Sequence, residues 1–245
     1  SQGVTNNSSL DIRDTIVLCQ KAYYNFSVFR NTIDLMTEFS MSNIYLTGGS
    51  RKAREFFDAL CKKINMNSLQ SKFFREYYRS GNVFIHRFDA NVSQSDVTRM
   101  TQTFGLSSNA SFKLPARYII LNPADIQISG NITFATGEFK KVLTDYELER
   151  LRHPRTEEDR QVLESFDPET IKKIKGEGNK KPGYNAVSIP LPLDKITAVF
   201  YKKQDYEPFA VPMGYPVLED INWKQEMKKM DMALTRTTNQ SILLV

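Results

Sequence analysis

From Leu10 onward, apolar residues recur at steps of three and four, through Ile12, Ile16, Leu18, Cys19, Ala22 and Tyr23, and this spacing predicts a helix that Ser8 or Ser9 can cap. Val28, Ile33, Leu35, Met36 and Phe39 predict a second helix behind it. Ser42–Thr47 is short and partly β-branched and closes on Gly48 and Gly49, which predicts a strand ending in a turn. Ser50 then caps a helix whose apolar face is Phe56, Phe57, Leu60, Cys61 and Ile64. Asn67 and Ser68 restart another through Leu69, Phe73, Phe74, Tyr77 and Tyr78. Aromatic residues at helical spacing can stack on bases, but they more often pack a core, and core is the expectation here.

Ser80-Gly81-Asn82 supplies residues that tolerate a left-handed backbone, so it predicts a helix end from which Val83–Phe88 leaves as a strand. Residues 89–111, rich in Ser, Asn, Thr and Gln, predict a long exposed loop or a weak hairpin. Strand character returns at Arg117–Leu121, Asp125–Ser129 and Ile132–Phe134, punctuated by Asn122-Pro123 and Gly130-Asn131, and then at Val187–Ile189 and Ile196–Tyr201. Between them, residues 140–183 change to mixed charge and predict an insertion of short solvated helices, with Asp167 capping one that starts at Pro168. The class is therefore α+β: helices on a small, mainly antiparallel sheet. Pro212, Gly214 and Pro216 then lead into the longest helical pattern, over residues 214–240.

Composition adds bounds. With 245 residues and 40% hydrophobic content the chain can bury a core, while residues 1–9 are too polar to contribute and read as a flexible tail. A net charge of +5 tolerates a polyanionic partner without requiring one. Cys19 and Cys61 are too far apart in sequence for a CxxC site. No apolar run of about 18 residues occurs, and the N-terminal residues lack the basic-then-apolar layout of a signal peptide, so a soluble, cytosolic chain without a membrane partner is expected. His86 and His153 stand apart from any nucleophile-and-acid pattern. Gly48-Gly-Ser-Arg-Lys52 reads as a helix cap rather than a phosphate loop, and Glu157, Glu158 and Asp159 lie in a charged run rather than an apolar pocket. No catalytic residue, cofactor or metal site is expected.

Five pieces in a fixed order carry a resemblance: Val28-Phe-Arg-Asn-Thr-Ile-Asp34, Ala53-Arg-Glu-Phe-Phe57, Phe74-Arg-Glu-Tyr-Tyr-Arg-Ser-Gly-Asn-Val-Phe-Ile85, Leu121-Asn-Pro-Ala-Asp-Ile-Gln-Ile128, and Met213-Gly-Tyr-Pro-Val-Leu218 before a long helix. Together they resemble the portal proteins of tailed bacteriophages. The resemblance implies a wing over residues 10–213, a stem helix over 214–240 and the start of a clip over 241–245. It also implies a homo-oligomeric ring, typically of twelve subunits, at one capsid vertex of the virion, assembled in the host cytoplasm. Its implied partners are the double-stranded DNA in the channel, the major capsid or scaffolding protein, the large terminase and the tail adaptor proteins. The chain departs from the family in its 140–183 insertion and in stopping at Val245, before a second stem helix, so a fragment of a longer product is expected.

On the last helix, Trp223, Met227, Met230 and Leu234 fall on one stripe, expected to face a neighbouring subunit. Lys224, Lys228, Lys229 and Arg236 fall broadly opposite and are expected to face DNA. Val217, Leu218 and Ile221 point a third way, as for a helix whose base docks on its own domain. Glu219, Asp220, Glu226 and Asp231 balance the four basic residues, which suits a wall along which DNA must slide rather than stick. Two alternatives stay open: a nucleic-acid-binding enzyme or replication factor, and another virion neck or adaptor ring protein.

Overall fold

Three apolar clusters organise the chain, and each is built from elements far apart in sequence. In the computed structural model, residues 12–90, 92–104, 114–129, 138–164, 166, 168–176 and 187–241 are described. The Ser8 or Ser9 cap, the Gly130-Asn131 turn, the strand 132–134 and the Asp167 cap lie outside them, as does the segment 242–245.

The first cluster joins α1 (Ile12–Asn25), α2 (Ser27–Ser40) and the root of α9 (Tyr215–Ser241). Cys19, Ala22 and Tyr23 of α1 and Phe29 and Ile33 of α2 close over Leu218, with Tyr78 and Tyr215 packed at the margin. Burial pushes the Cys19 thiol up to about 12, so it behaves as a small apolar side chain. Tyr78 comes from α4 (Met66–Ser80), which follows α3 (Arg51–Lys63). Ser50 caps α3 as expected, accepting from the Ala53 amide at 3.1 Å. The cap of α4 is Asn65 in a left-handed conformation, two residues before the predicted start.

The predicted strand at 42–47 does not form. Residues 41–47 run without regular secondary structure and every one is exposed, since an alternating pattern makes a strand only where a ladder partner meets it. The aromatic residues divide as well: those of α4 pack on their neighbours, whereas α3 buries none of its residues, and Phe57 stays exposed beside Phe56.

Gly81, in the left-handed region at φ +70°, ends α4 and releases β1 (Asn82–Asp89). The predicted loop at 89–111 holds a helix, α5 (Gln94–Phe104), with Ser93 accepting from the Asp96 amide at 3.2 Å. Val97, Met100, Thr101 and Phe104 fall at the helical step that marks it. β1 is the middle strand of an antiparallel sheet, between β2 (Pro115–Leu121) and β6 (Ile196–Phe200), with Phe84 opposite Leu121 on one side and Ala198 on the other. A second antiparallel sheet has β4 (Glu138–Val142) between β3 (Ile126–Ser129) and β5 (Ser188–Leu191). Phe84, Ile126 and Ile196 form the second cluster, with Phe139 and Leu191 packed against it, so the two sheets share one interior. The α+β expectation therefore holds, with two small sheets rather than one.

The charged stretch after β4 is less solvated than its composition predicts. α6 (Asp145–Arg152), α7 (Glu157–Glu164) and α8 (Pro168–Lys175) enclose a third cluster of Leu143, Leu148, Leu151, Ile174 and Ile189. Thr144 and Glu147 form a capping box at the start of α6, and Lys141 bonds both Glu147 oxygens at 2.7 Å. Arg150 meets Asp159 at 2.8 Å across α6 and α7. The charges sit outside a small apolar centre.

His86, on β1, is partly buried, stands edge-on to Phe88 at 4.7 Å and leaves its Nδ1 buried without a hydrogen-bond partner. Burial, and then the nearby Lys195 charge, hold its pKa below the ordinary histidine value. Folding thus favours the neutral ring: the stabilisation is complete above the unfolded value, near 6.5, and is lost as pH falls through the lower folded value. Urea unfolding midpoints should drop between pH 7.5 and 5.5, and His86→Phe should shrink that drop. An equal drop in the variant would assign the effect elsewhere.

Candidate functional site

The root of α9 is fixed from two directions. Ser80-Gly81-Asn82, which the sequence marks only as a turn, clamps the segment entering the helix. The Asn82 carboxamide donates to Ala210 O at 2.9 Å and accepts from the Ala210 amide at 2.9 Å, pairing with that backbone as a strand would. The same amide nitrogen donates to Ser80 O at 2.8 Å, and Ser80 Oγ donates to Asn82 O at 2.9 Å. Both side chains are fully buried. Gly81 lies so close to this segment that an added Cβ would stand 3.4 Å from Pro212 Cα and Val211 O. Gly214 lies under the Phe29 ring, where a Cβ would come within 2.5 Å of Cζ. A side chain there would have to displace Phe29 from the cluster that receives Leu218.

Beyond this root α9 leaves the body. Leu218 is buried, whereas every residue with a described side chain from Asp220 to Thr237 is exposed. A helix of 27 residues is about 40 Å long, so most of its length is held by its first turn.

The expected stripe lies entirely in this projecting part: Trp223 is 67% exposed, Met227 44%, Met230 62% and Leu234 63%. Its axis lies about 150° from Leu218, so the stripe faces away from the cluster that holds the root. Lys224, Lys228, Lys229 and Arg236 are exposed on the other side of the helix. Val217 is exposed next to the docked Leu218, and the side chain of Ile221 lies outside the description. The structure therefore brings the two predicted sets onto one projecting element, on different faces.

A second apolar surface is missed by the sequence reading. α2 buries Phe29, Ile33 and Thr37 but exposes Val28, Leu35 and Phe39, the last at 81%. The segment that follows α2 separately exposes Ile44, Tyr45 and Leu46. The signal was present in the apolar positions of α2, which occupy two faces rather than one.

Among the described residues, no three His, Cys, Asp or Glu side chains gather as a metal cage, and no helix is long and apolar enough to cross a membrane. No protein-family profile matches the chain, and no curated protein matches it in sequence.

Proposed function

We propose that this chain is a structural subunit of a phage portal ring, the channel at one capsid vertex through which double-stranded DNA enters and leaves and on which the packaging terminase docks. One observation carries the reading: among the described residues, α9 is anchored at its root alone and projects with Trp223, Met227, Met230 and Leu234 uncovered. Burying each of these side chains against a neighbour is worth roughly 1.5–3 kcal/mol, so the projecting helix is built to be completed by another molecule. The sequence resemblance supports which assembly this is, with residues 10–213 as the wing and 214–240 as the stem.

In that ring Trp223, Met227, Met230 and Leu234 face a neighbouring subunit, while Lys224, Lys228, Lys229 and Arg236 line the DNA path. The acidic residues between them keep the wall near neutral and the DNA free to slide. The partners are further copies of the chain, the capsid or scaffolding protein, the terminase and the tail adaptors, and the subunit performs no catalysis.

Native mass measurement on the chain, alone and as a Lys224→Ala, Lys228→Ala, Lys229→Ala triple variant, tests the proposal. The expected result is a closed oligomer in both cases, with the variant altering the salt dependence of DNA packaging. A chain that stays monomeric at high concentration overturns the ring, and packaging unchanged by the variant overturns the DNA-facing assignment.

A further inference from the structure

We propose that the α9 stripe is complementary to itself in the antiparallel sense, so that two free copies of the chain pair through it, helix against helix. The inference goes beyond the ring reading. In a ring every copy of α9 runs the same way, so the antiparallel pair is a form of the free chain that has to open before a ring can close.

The spacing makes a seam. Trp223, Met227, Met230 and Leu234 follow steps of four, three and four, the a and d spacing of two packed helices, and Asp220 and Thr237 continue it with a polar residue at either end. All six are exposed. Laid antiparallel, two such seams match end to end in one register. Trp223 meets Leu234 of the second copy, Met227 meets Met230, and Asp220 meets Thr237, so four apolar layers close between two polar ones. At on the order of 100 Å² for each half-exposed apolar side chain and about half that for each of the four residues beside them, the pair buries about 1,200 Å² in all. That is the lower edge of specific interfaces, which suits a contact that holds and then yields.

Charge chooses the orientation. Lys224 and Asp231 flank the stripe on one side, about 90° and 70° from its axis, while Glu226 and Ala233 flank it on the other. Antiparallel packing sets each side against the same side of the second copy, so Lys224 faces Asp231 twice and Glu226 faces Ala233. No acid meets an acid. Parallel packing sets each side against the other, which puts Glu226 beside Asp231 and cancels the match between the positions of Glu219 and Lys224. Exposed ion pairs add little energy, but here they favour one direction only. The antiparallel pair has two-fold symmetry and uses both stripes, so it stops at two copies.

The test uses the whole chain with Cys61→Ser, since Cys19 is buried. Below the concentration at which larger oligomers form, Trp223→Cys and Leu234→Cys copies are oxidised separately and as a mixture. The expected result is a cross-linked pair in the mixture and little from either variant alone. Without touching the seam, Lys224→Asp should keep the helical circular dichroism and raise the concentration for half-pairing about tenfold, and adding Asp231→Lys to it should restore the parental value. Cross-linking by Trp223→Cys alone as efficient as in the mixture would show parallel helices and overturn the pairing, as would a double variant no better than Lys224→Asp. Rings that form with no two-copy species at any lower concentration would overturn it and leave the ring reading intact. Two-copy species that never grow would uphold it and overturn the ring, and a chain monomeric at high concentration would overturn both.

Discussion

Asn82→Ala is expected to cost the fold about 3 kcal/mol, because it strands the buried amide and carbonyl of Ala210 together with Ser80 O, at roughly 1–3 kcal/mol per orphaned group. Asn82→Asp should be no milder. It keeps an acceptor for the Ala210 amide but loses both donated bonds and places a charge in a fully buried site. Urea denaturation followed by circular dichroism reads the loss directly. Trp223, exposed on the projecting helix, should report little of it by fluorescence. If Asn82→Ala lost less than about 1 kcal/mol, a typical single hydrogen bond, the clamp would not be what holds the segment entering α9.

The second large effect has the opposite signature. With Met227→Asp and Met230→Asp together, the isolated chain should keep its stability within about 0.5 kcal/mol, since both side chains are exposed and belong to no core cluster. On the proposed ring reading assembly should nevertheless fail: two apolar anchors of the stripe are lost and two charges take their place, which raises the concentration needed for association by at least about 100-fold. Sedimentation velocity beside a thermal melt separates the two quantities. A variant that assembles like the parent would remove the stripe from the interface. One that melts far earlier would show that the two methionines serve the chain's own fold.

These outcomes bear on how much the sequence reveals. The helix at 214–240 and the different facing of Leu218 were legible because each follows from spacing along one helix. The turn at Ser80-Gly81-Asn82 was legible because only certain residues accept a left-handed backbone. The Asn82 clamp was not, because a carboxamide that satisfies a backbone 128 residues away leaves no local trace. Residues 41–47 misled for a related reason: strand character is a property of a pair, and here no ladder forms. The stretch after β4 misled through its average, since five buried aliphatic side chains are enough to organise α6, α7 and α8 while the remaining residues dominate the composition. α5 was overlooked although Ser93 and the Val97–Phe104 spacing announced it, because its polar residues drew the reading toward a loop.

The cluster around Leu218 also sets a condition on how the protein is made. Cys19, Ala22, Tyr23, Phe29 and Ile33 leave the ribosome early, yet the side chain that covers them comes near the end of the described chain. At about 5–20 residues per second, that face waits on the order of ten seconds or more for its partner. During synthesis Tyr78 of α4 can reach its margin sooner, but the position that Leu218 fills stays open until α9 arrives. The chain therefore closes this cluster last, with the same helix that projects from it.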